Sequence, residues 1–72
     1  MIQFNGTAYD YRPGILLREL AEDYYRKKDI PKVSFDEFVV IVNSAPIASP
    51  QAEELELQDN DNVYFVPIIN GG

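Results

Sequence analysis

Asn62-Val63-Tyr64-Phe65-Val66-Pro67-Ile68-Ile69-Asn70-Gly71-Gly72 closes the chain, and its reading decides the fold. From Val63 to Ile69 the run is dominated by β-branched, aromatic and other apolar residues, which predicts a strand beginning at Asn62 or Val63. Successive side chains of a strand point to opposite faces, so Val63, Phe65 and Pro67 share one face and Tyr64, Val66 and Ile68 the other. Both sets are apolar. Just upstream, Asp59-Asn60-Asp61 predicts a tight turn whose middle Asn tolerates left-handed geometry. Gly71 and Gly72 carry no side chain and could thread a slot too narrow for any other residue. They would leave the α-carboxylate of Gly72 unhindered and open to activation.

Working outward, Phe38-Val39-Val40-Ile41-Val42 is five consecutive β-formers and reads as a central strand. Asn43-Ser44 turns the chain, and Ala45 to Ala48, interrupted by Pro46, can serve only as an edge strand. Ser49-Pro50 followed by Glu53 and Glu54 reads as a helical turn, with Ser49 as cap and Pro50 in the first position. At the other end, Asn5-Gly6 between Met1–Phe4 and Thr7–Tyr11 is a strong hairpin signal, because both turn residues accept positive φ. Pro13-Gly14 breaks the second strand.

From Ile15 to about Lys28 the period becomes helical. Leu17, Leu20, Ala21 and Tyr24 fall on one face, opposite Arg18, Glu19, Glu22, Asp23 and Arg26. Glu22 and Arg26 stand four apart in the favourable order. Asp29-Ile30-Pro31 ends this helix, since Pro31 disfavours helical geometry at Ile30. Lys32 to Glu37 reads as a polar connector.

The expected architecture is therefore α+β: one domain, residues 1–72, with one main helix against a mixed sheet of four or five strands. A single helix covers a single sheet face. With Phe38–Val42 and Val63–Ile69 apolar on both sides, one face is left over, and an uncovered apolar face marks a partner surface. Residues 29–37 are the alternative cover for it.

Composition removes several function classes. The 72 residues contain no cysteine and no histidine, which excludes a disulfide, a thiolate or imidazole metal site, and Ser-His or Cys-His nucleophile pairs. Asp36 with Glu37, and Glu53, Glu54 and Glu56, read as solvated carboxylates and not as a catalytic pair. Six basic against twelve acidic residues leave a net charge of −6, which disfavours nucleic acid and suits a basic protein partner or plain solubility. No apolar stretch approaches the roughly 20 residues of a membrane span. Met1 to Gly6 lacks the basic region of a signal peptide, so a cytoplasmic location is expected.

The last sixteen residues, from Leu57 through Asp59-Asn60-Asp61 and Val63–Ile69 to Gly71-Gly72, resemble the closing segment of ubiquitin-like sulfur carriers. This family includes the small subunit of molybdopterin synthase and the thiamine-biosynthesis sulfur carrier. Its members show a leucine, an Asp-Gly-Asp turn, a strand and a terminal Gly-Gly. Asn5-Gly6, Gly14 and Val42-Asn43 also match family positions. Three residues depart from the pattern. Asn60 replaces the turn glycine, no Thr or Ser follows Gly14 to cap the helix, and Ser44 stands where glycine is frequent. Pro67 resembles the molybdopterin branch; the short length and lone main helix are more like the thiamine carrier.

The resemblance implies a β-grasp (ubiquitin-like) domain that is not itself an enzyme. A ubiquitin-activating-like adenylyltransferase would convert the Gly72 carboxylate to an acyl adenylate, and a sulfur donor would turn that into a thiocarboxylate. Gly72 would carry the chemistry and Gly71 give access. Tyr64, Phe65, Val66, Pro67, Ile68, Ile69 and Asn70 would form the partner-binding segment. ATP, and any zinc, would belong to the partner; this chain is expected to bind no cofactor and no metal. The recipient would be thiazole synthase or the large subunit of molybdopterin synthase. Two other readings stay open: a protein modifier conjugated through the same glycine, and a β-grasp interaction module whose glycines are incidental.

Overall fold

The computed structural model describes residues 1–30 and 32–68. Two β-hairpins are built from local signals. β1 (Ile2–Phe4) and β2 (Thr7–Tyr9) pair antiparallel around Asn5 and Gly6, which stand at φ 49° and 83°. β3 (Phe38–Val42) and β4 (Ala45–Ile47) pair antiparallel around Asn43 and Ser44, at φ 52° and 70°. Positive φ at both central residues gives the turn the twist that the flanking strands need. β5 (Asn62–Pro67) then enters between the hairpins, parallel to β1 and antiparallel to β3. The result is a five-stranded mixed sheet in the order β2-β1-β5-β3-β4, an α+β architecture of the β-grasp type.

One main helix, α1 (Leu17–Arg26), lies across one face. Ile2, Phe4, Val40, Val63 and Phe65 meet Leu17, Leu20 and Ala21 there in a single core, completed by Ile15, Leu57 and Ala52. Ala52 belongs to the short helix α2 (Ser49–Ala52). Ile2, Phe4, Leu17, Val40, Leu57 and Val63 are essentially sealed from solvent. Each such side chain contributes about 1.5–3 kcal/mol of apolar burial. No charged side chain among the described residues is buried.

Several expectations need correction. The buried tyrosine of α1 is Tyr25, and Tyr24 is only half-buried. The reason is the 3.6-residue period: the stripe Leu17, Leu20, Ala21 continues at both i+7 and i+8, and packing decides which faces inward. Here Tyr25 meets the rings of Phe4, Phe38 and Phe65, while Tyr24 covers the rim of Phe4. The helix is also shorter than Ile15–Lys28. It stops at Arg26, and the chain reverses at Asp29, whose φ of 62° lets the Ile30 N–H reach back to the Tyr25 carbonyl at 2.9 Å. A left-handed residue just past the helix is a common terminator, so Asp29 ends it; Pro31 lies outside the described residues.

Arg26 pairs with Asp23 at 3.3 Å, not with Glu22, and Lys27 joins the same carboxylate at 3.1 Å. The connector is not purely polar. Phe35–Glu37 forms a single 3-10 turn, and Phe35 is buried edge-on against Phe65 at 5.1 Å. Ser49 is the first residue of α2 and not its cap; its hydroxyl donates to the Asp36 carboxylate at 2.6 Å.

Candidate functional site

β5 is the middle strand, and its alternation is resolved. Val63 and Phe65 point into the core beneath α1. Tyr64 and Val66 point away from it and are 45% exposed, and Ile68 is 47% exposed. Register extends this face sideways: Tyr64 stands opposite Ile41 and Val66 opposite Val39, while Ile41 faces Pro46 on β4. In the other direction Asn62 stands opposite Gln3, and Gln3 opposite Ala8. By register, the face away from the helix thus presents Ala8, Gln3, Asn62, Tyr64, Val66, Ile41, Val39 and Pro46. None of them is charged. Residues 32–37 pack on the helix side through Phe35, so the alternative cover for the spare face is not realised within the described connector.

Asn5 does more than turn a hairpin. Its backbone N–H donates to the Val63 carbonyl at 2.9 Å, and its side-chain oxygen accepts the Phe65 N–H at 2.9 Å. The amide nitrogen lies 3.5 Å from the Tyr25 hydroxyl, to which it donates. Asn5 therefore continues the β1–β5 ladder one step after β1 has ended. Pro67 is two residues beyond Phe65, so its nitrogen faces the same direction, past the end of β1. A proline is tolerated where no ladder partner asks for an N–H. On the other side the ladder goes on, since the Ile68 N–H donates to the Glu37 carbonyl at 2.9 Å.

The end of β5 is thereby held on one side by β3 and left open on the other. Beside it lies a cleft of about 740 Å³ whose lining includes Asn5, Tyr24, Tyr25, Lys28, Glu37, Pro67 and Ile68. Lys28 Nζ stands 5.0 Å from the centre of the Tyr24 ring, a cation–π contact on the cleft wall. Burial pushes the Tyr25 hydroxyl above its ordinary range, against the opposing hydrogen bond from Asn5. At the opposite end of β5, the side chain of Asn43 bonds both the Asp61 carboxylate, at 2.8 Å, and the Asn62 N–H, at 2.9 Å. The hydrogen bond from the Met1 ammonium, at 2.6 Å, holds the Asp59 carboxyl below its usual range.

Of the residues singled out from sequence, Tyr64, Val66 and Ile68 come together as exposed apolar groups. Phe65 does not join them: its ring is 4% exposed and packs on Phe4, Phe35, Phe38 and Tyr25. Pro67 is exposed beside the cleft. Ile69, Asn70, Gly71 and Gly72 lie outside the described residues. Val39, Ile41 and Pro46 extend the surface and were not singled out, although the same alternation rule applied to Phe38–Val42 pairs Val39 with Ile41. No group of three or more Asp or Glu side chains among the described residues is arranged to hold a metal. No helix among them is long and apolar enough to cross a membrane.

A family model described as the ThiS family matches residues 2–72. The chain belongs to the ThiS family. It is thereby a ubiquitin-like sulfur carrier of β-grasp fold, and ThiS-family members are small carrier proteins, not catalysts. Family membership implies, in general terms, interaction with an activating enzyme and a sulfur-accepting synthase. No curated protein matches the chain in sequence. The departures from the family pattern have structural counterparts. Asn60 and Ser44 both adopt positive φ, 70° in each case, where glycine is at ease. The N-terminus of α1, with Leu16 in the capping position, has no side-chain cap.

Proposed function

We propose that this chain is the protein co-substrate of an ATP-dependent adenylyltransferase and acts in cofactor biosynthesis through the carboxylate of Gly72. The carboxylate oxygen attacks the α-phosphorus of ATP and pyrophosphate leaves, giving a glycyl adenylate. A sulfur nucleophile then attacks the glycyl carbonyl carbon and AMP departs. Sulfide gives the thiocarboxylate directly, whereas a donor persulfide gives an acyl disulfide, from which a thiol reductant attacks the donor sulfur and releases the thiocarboxylate. The thiocarboxylate passes its sulfur to a synthase, either thiazole synthase of the thiamine pathway or the large subunit of molybdopterin synthase. ATP and any zinc are held by the partner.

The observation that carries this reading is the family match, which runs through Gly71 and Gly72. The fold supplies a physical rationale for the rest. An uncharged apolar surface on β3 and β5 leads to Ile68, the last described residue before Ile69 and Asn70, so a partner that grips this face also receives the tail. Tyr64, Val66 and Ile68, with Val39 and Ile41, would be the docking groups. Pro67 limits the backbone freedom of the tail at its root.

The test is ATP–pyrophosphate exchange with the cognate adenylyltransferase, followed by intact mass of the carrier. Exchange and replacement of one oxygen by sulfur are the expected results. Removing Gly72 draws the carboxylate back by about 3.3–3.6 Å, one extended residue. A misplacement of about 1 Å already costs on the order of a hundredfold in rate, so the shortened chain should not be activated. Normal activation without Gly72 would sink the reading. A ladder of lysine conjugates with no thiocarboxylate would instead identify a protein modifier. Complementation of thiamine or molybdopterin auxotrophs separates the two recipients.

A further inference from the structure

The charges of this molecule are segregated along the chain and therefore in space. Residues 33–72 contain seven of the twelve acidic side chains and none of the six lysines and arginines. That half supplies β3, β4 and β5, hence most of the uncharged apolar face. The ion pairs of α1 use Asp23 and Glu19, whereas Glu37, Glu53, Glu54 and Glu56 are exposed and form no ion pair among the described residues. Glu37 differs from the other three in its place. Its carbonyl holds the Ile68 N–H, and the residue lines the cleft together with Pro67 and Ile68, at the root of the tail. Its neighbour Asp36 is already engaged by Ser49. Lys28, on the cleft wall, stands over the Tyr24 ring and forms no ion pair with Glu37.

Resting on the reading of this chain as a co-substrate, we infer that the open face takes a protein partner that is apolar at the centre of its contact surface and carries a lysine or arginine placed to meet Glu37. A second copy of this chain fits poorly. It would bring two like-charged halves together, and like charges across an interface oppose association. A basic partner gains both long-range steering and a contact that orients the tail.

The experiment is pyrophosphate exchange with the cognate adenylyltransferase at low and moderate salt, using the intact chain, E37Q, E37K and E54Q. An exposed ion pair at the edge of an interface is worth a factor of roughly 2–5, so E37Q should raise KM for the carrier by about that much at unchanged kcat. E37K should raise it further. KM of the unaltered chain should climb with salt, and that of E37Q should climb less. E54Q carries the same charge change on the segment after α2 and should leave KM within about twofold, a smaller effect than the contact itself. Thermal melts of E37Q and E37K matching the parent keep folding out of the comparison. Equal effects of E37Q and E54Q would overturn the contact in favour of net charge alone, and an unchanged KM for E37Q and E37K would overturn it outright. A dimer in sedimentation that competes with the enzyme would assign the face to a second copy. Absence of exchange by the unaltered chain would defeat the co-substrate reading itself and this inference with it, a result distinct from normal exchange that ignores Glu37.

Discussion

Ser44 shows how a single residue can sit against its own preference. At φ 70° a side chain with a Cβ pays a steric cost that glycine avoids, roughly 1–2 kcal/mol for a residue in left-handed geometry. Glycine gives part of this back through its greater freedom in the unfolded chain, about 0.5–1 kcal/mol. Ser44→Gly should therefore stabilise the protein by about 0.5–1 kcal/mol net, read as a higher urea midpoint with unchanged slope. Asn60, at the same φ of 70°, is a better occupant of its site, because asparagine visits this region more readily. Replacing it with glycine should change the midpoint less than Ser44→Gly does. A larger gain at Asn60 would contradict that ranking.

At the scale of the helix, Leu20 and Tyr25 report on the same packed face by different means. Leu20 is 5% exposed within the core, and Leu20→Ala should destabilise by about 2–5 kcal/mol, enough to unfold much of the population of a domain this size. A thermal melt of the variant checks this, and an unshifted transition would place the helix face wrongly. Tyr25 gives the pH dependence. Burial raises its hydroxyl above 10.0, so the fold favours the neutral phenol. That contribution is intact below the unfolded value of 10.0 and is lost as pH rises through the higher folded value. Burial pushes Tyr9 the same way, assisted by Asp23 and opposed by Lys27. Stability should fall above pH 10, and Tyr25→Phe should fall less steeply than the parent over the same interval. Identical alkaline losses in urea melts of the two would assign the effect to other groups.

For the whole molecule, the division of the sheet into a packed and an open face is the feature on which its use depends. Val66 is 45% exposed on the open side, opposite Val39. Val66→Asp should cost no more than about 1 kcal/mol of stability, the span of strand preference. It would, however, place a charge in the middle of the apolar surface, and association with the adenylyltransferase should weaken severalfold. Phe65→Ala is the opposite case. Its ring is 4% exposed and touches four other aromatic side chains, so it should cost about 3–5 kcal/mol. Calorimetry of the variants, with titration of Val66→Asp into the enzyme, separates the two. A Val66→Asp variant that binds as tightly as the parent would remove the open face from the interface.

What the amino-acid sequence determined by itself is what local chemistry decides. Asn5-Gly6, Asn43-Ser44 and Asp59-Asn60-Asp61 turn the chain because neighbouring residues suffice to select a turn, and all three stand where they were expected. The strand runs, the single main helix and the family motif are legible for the same reason. Only the tertiary structure decided which face of β5 is open. Alternation allows both assignments equally, and the choice depends on where α1 and Phe35 land. It also decided that Tyr25 and not Tyr24 is buried, since residues at the edge of a helical stripe are chosen by the rings they meet across the sequence. Asn5 belongs to both accounts. Its turn is local, but its bonds to Val63, Phe65 and Tyr25 exist only because β5 returns to lie beside β1.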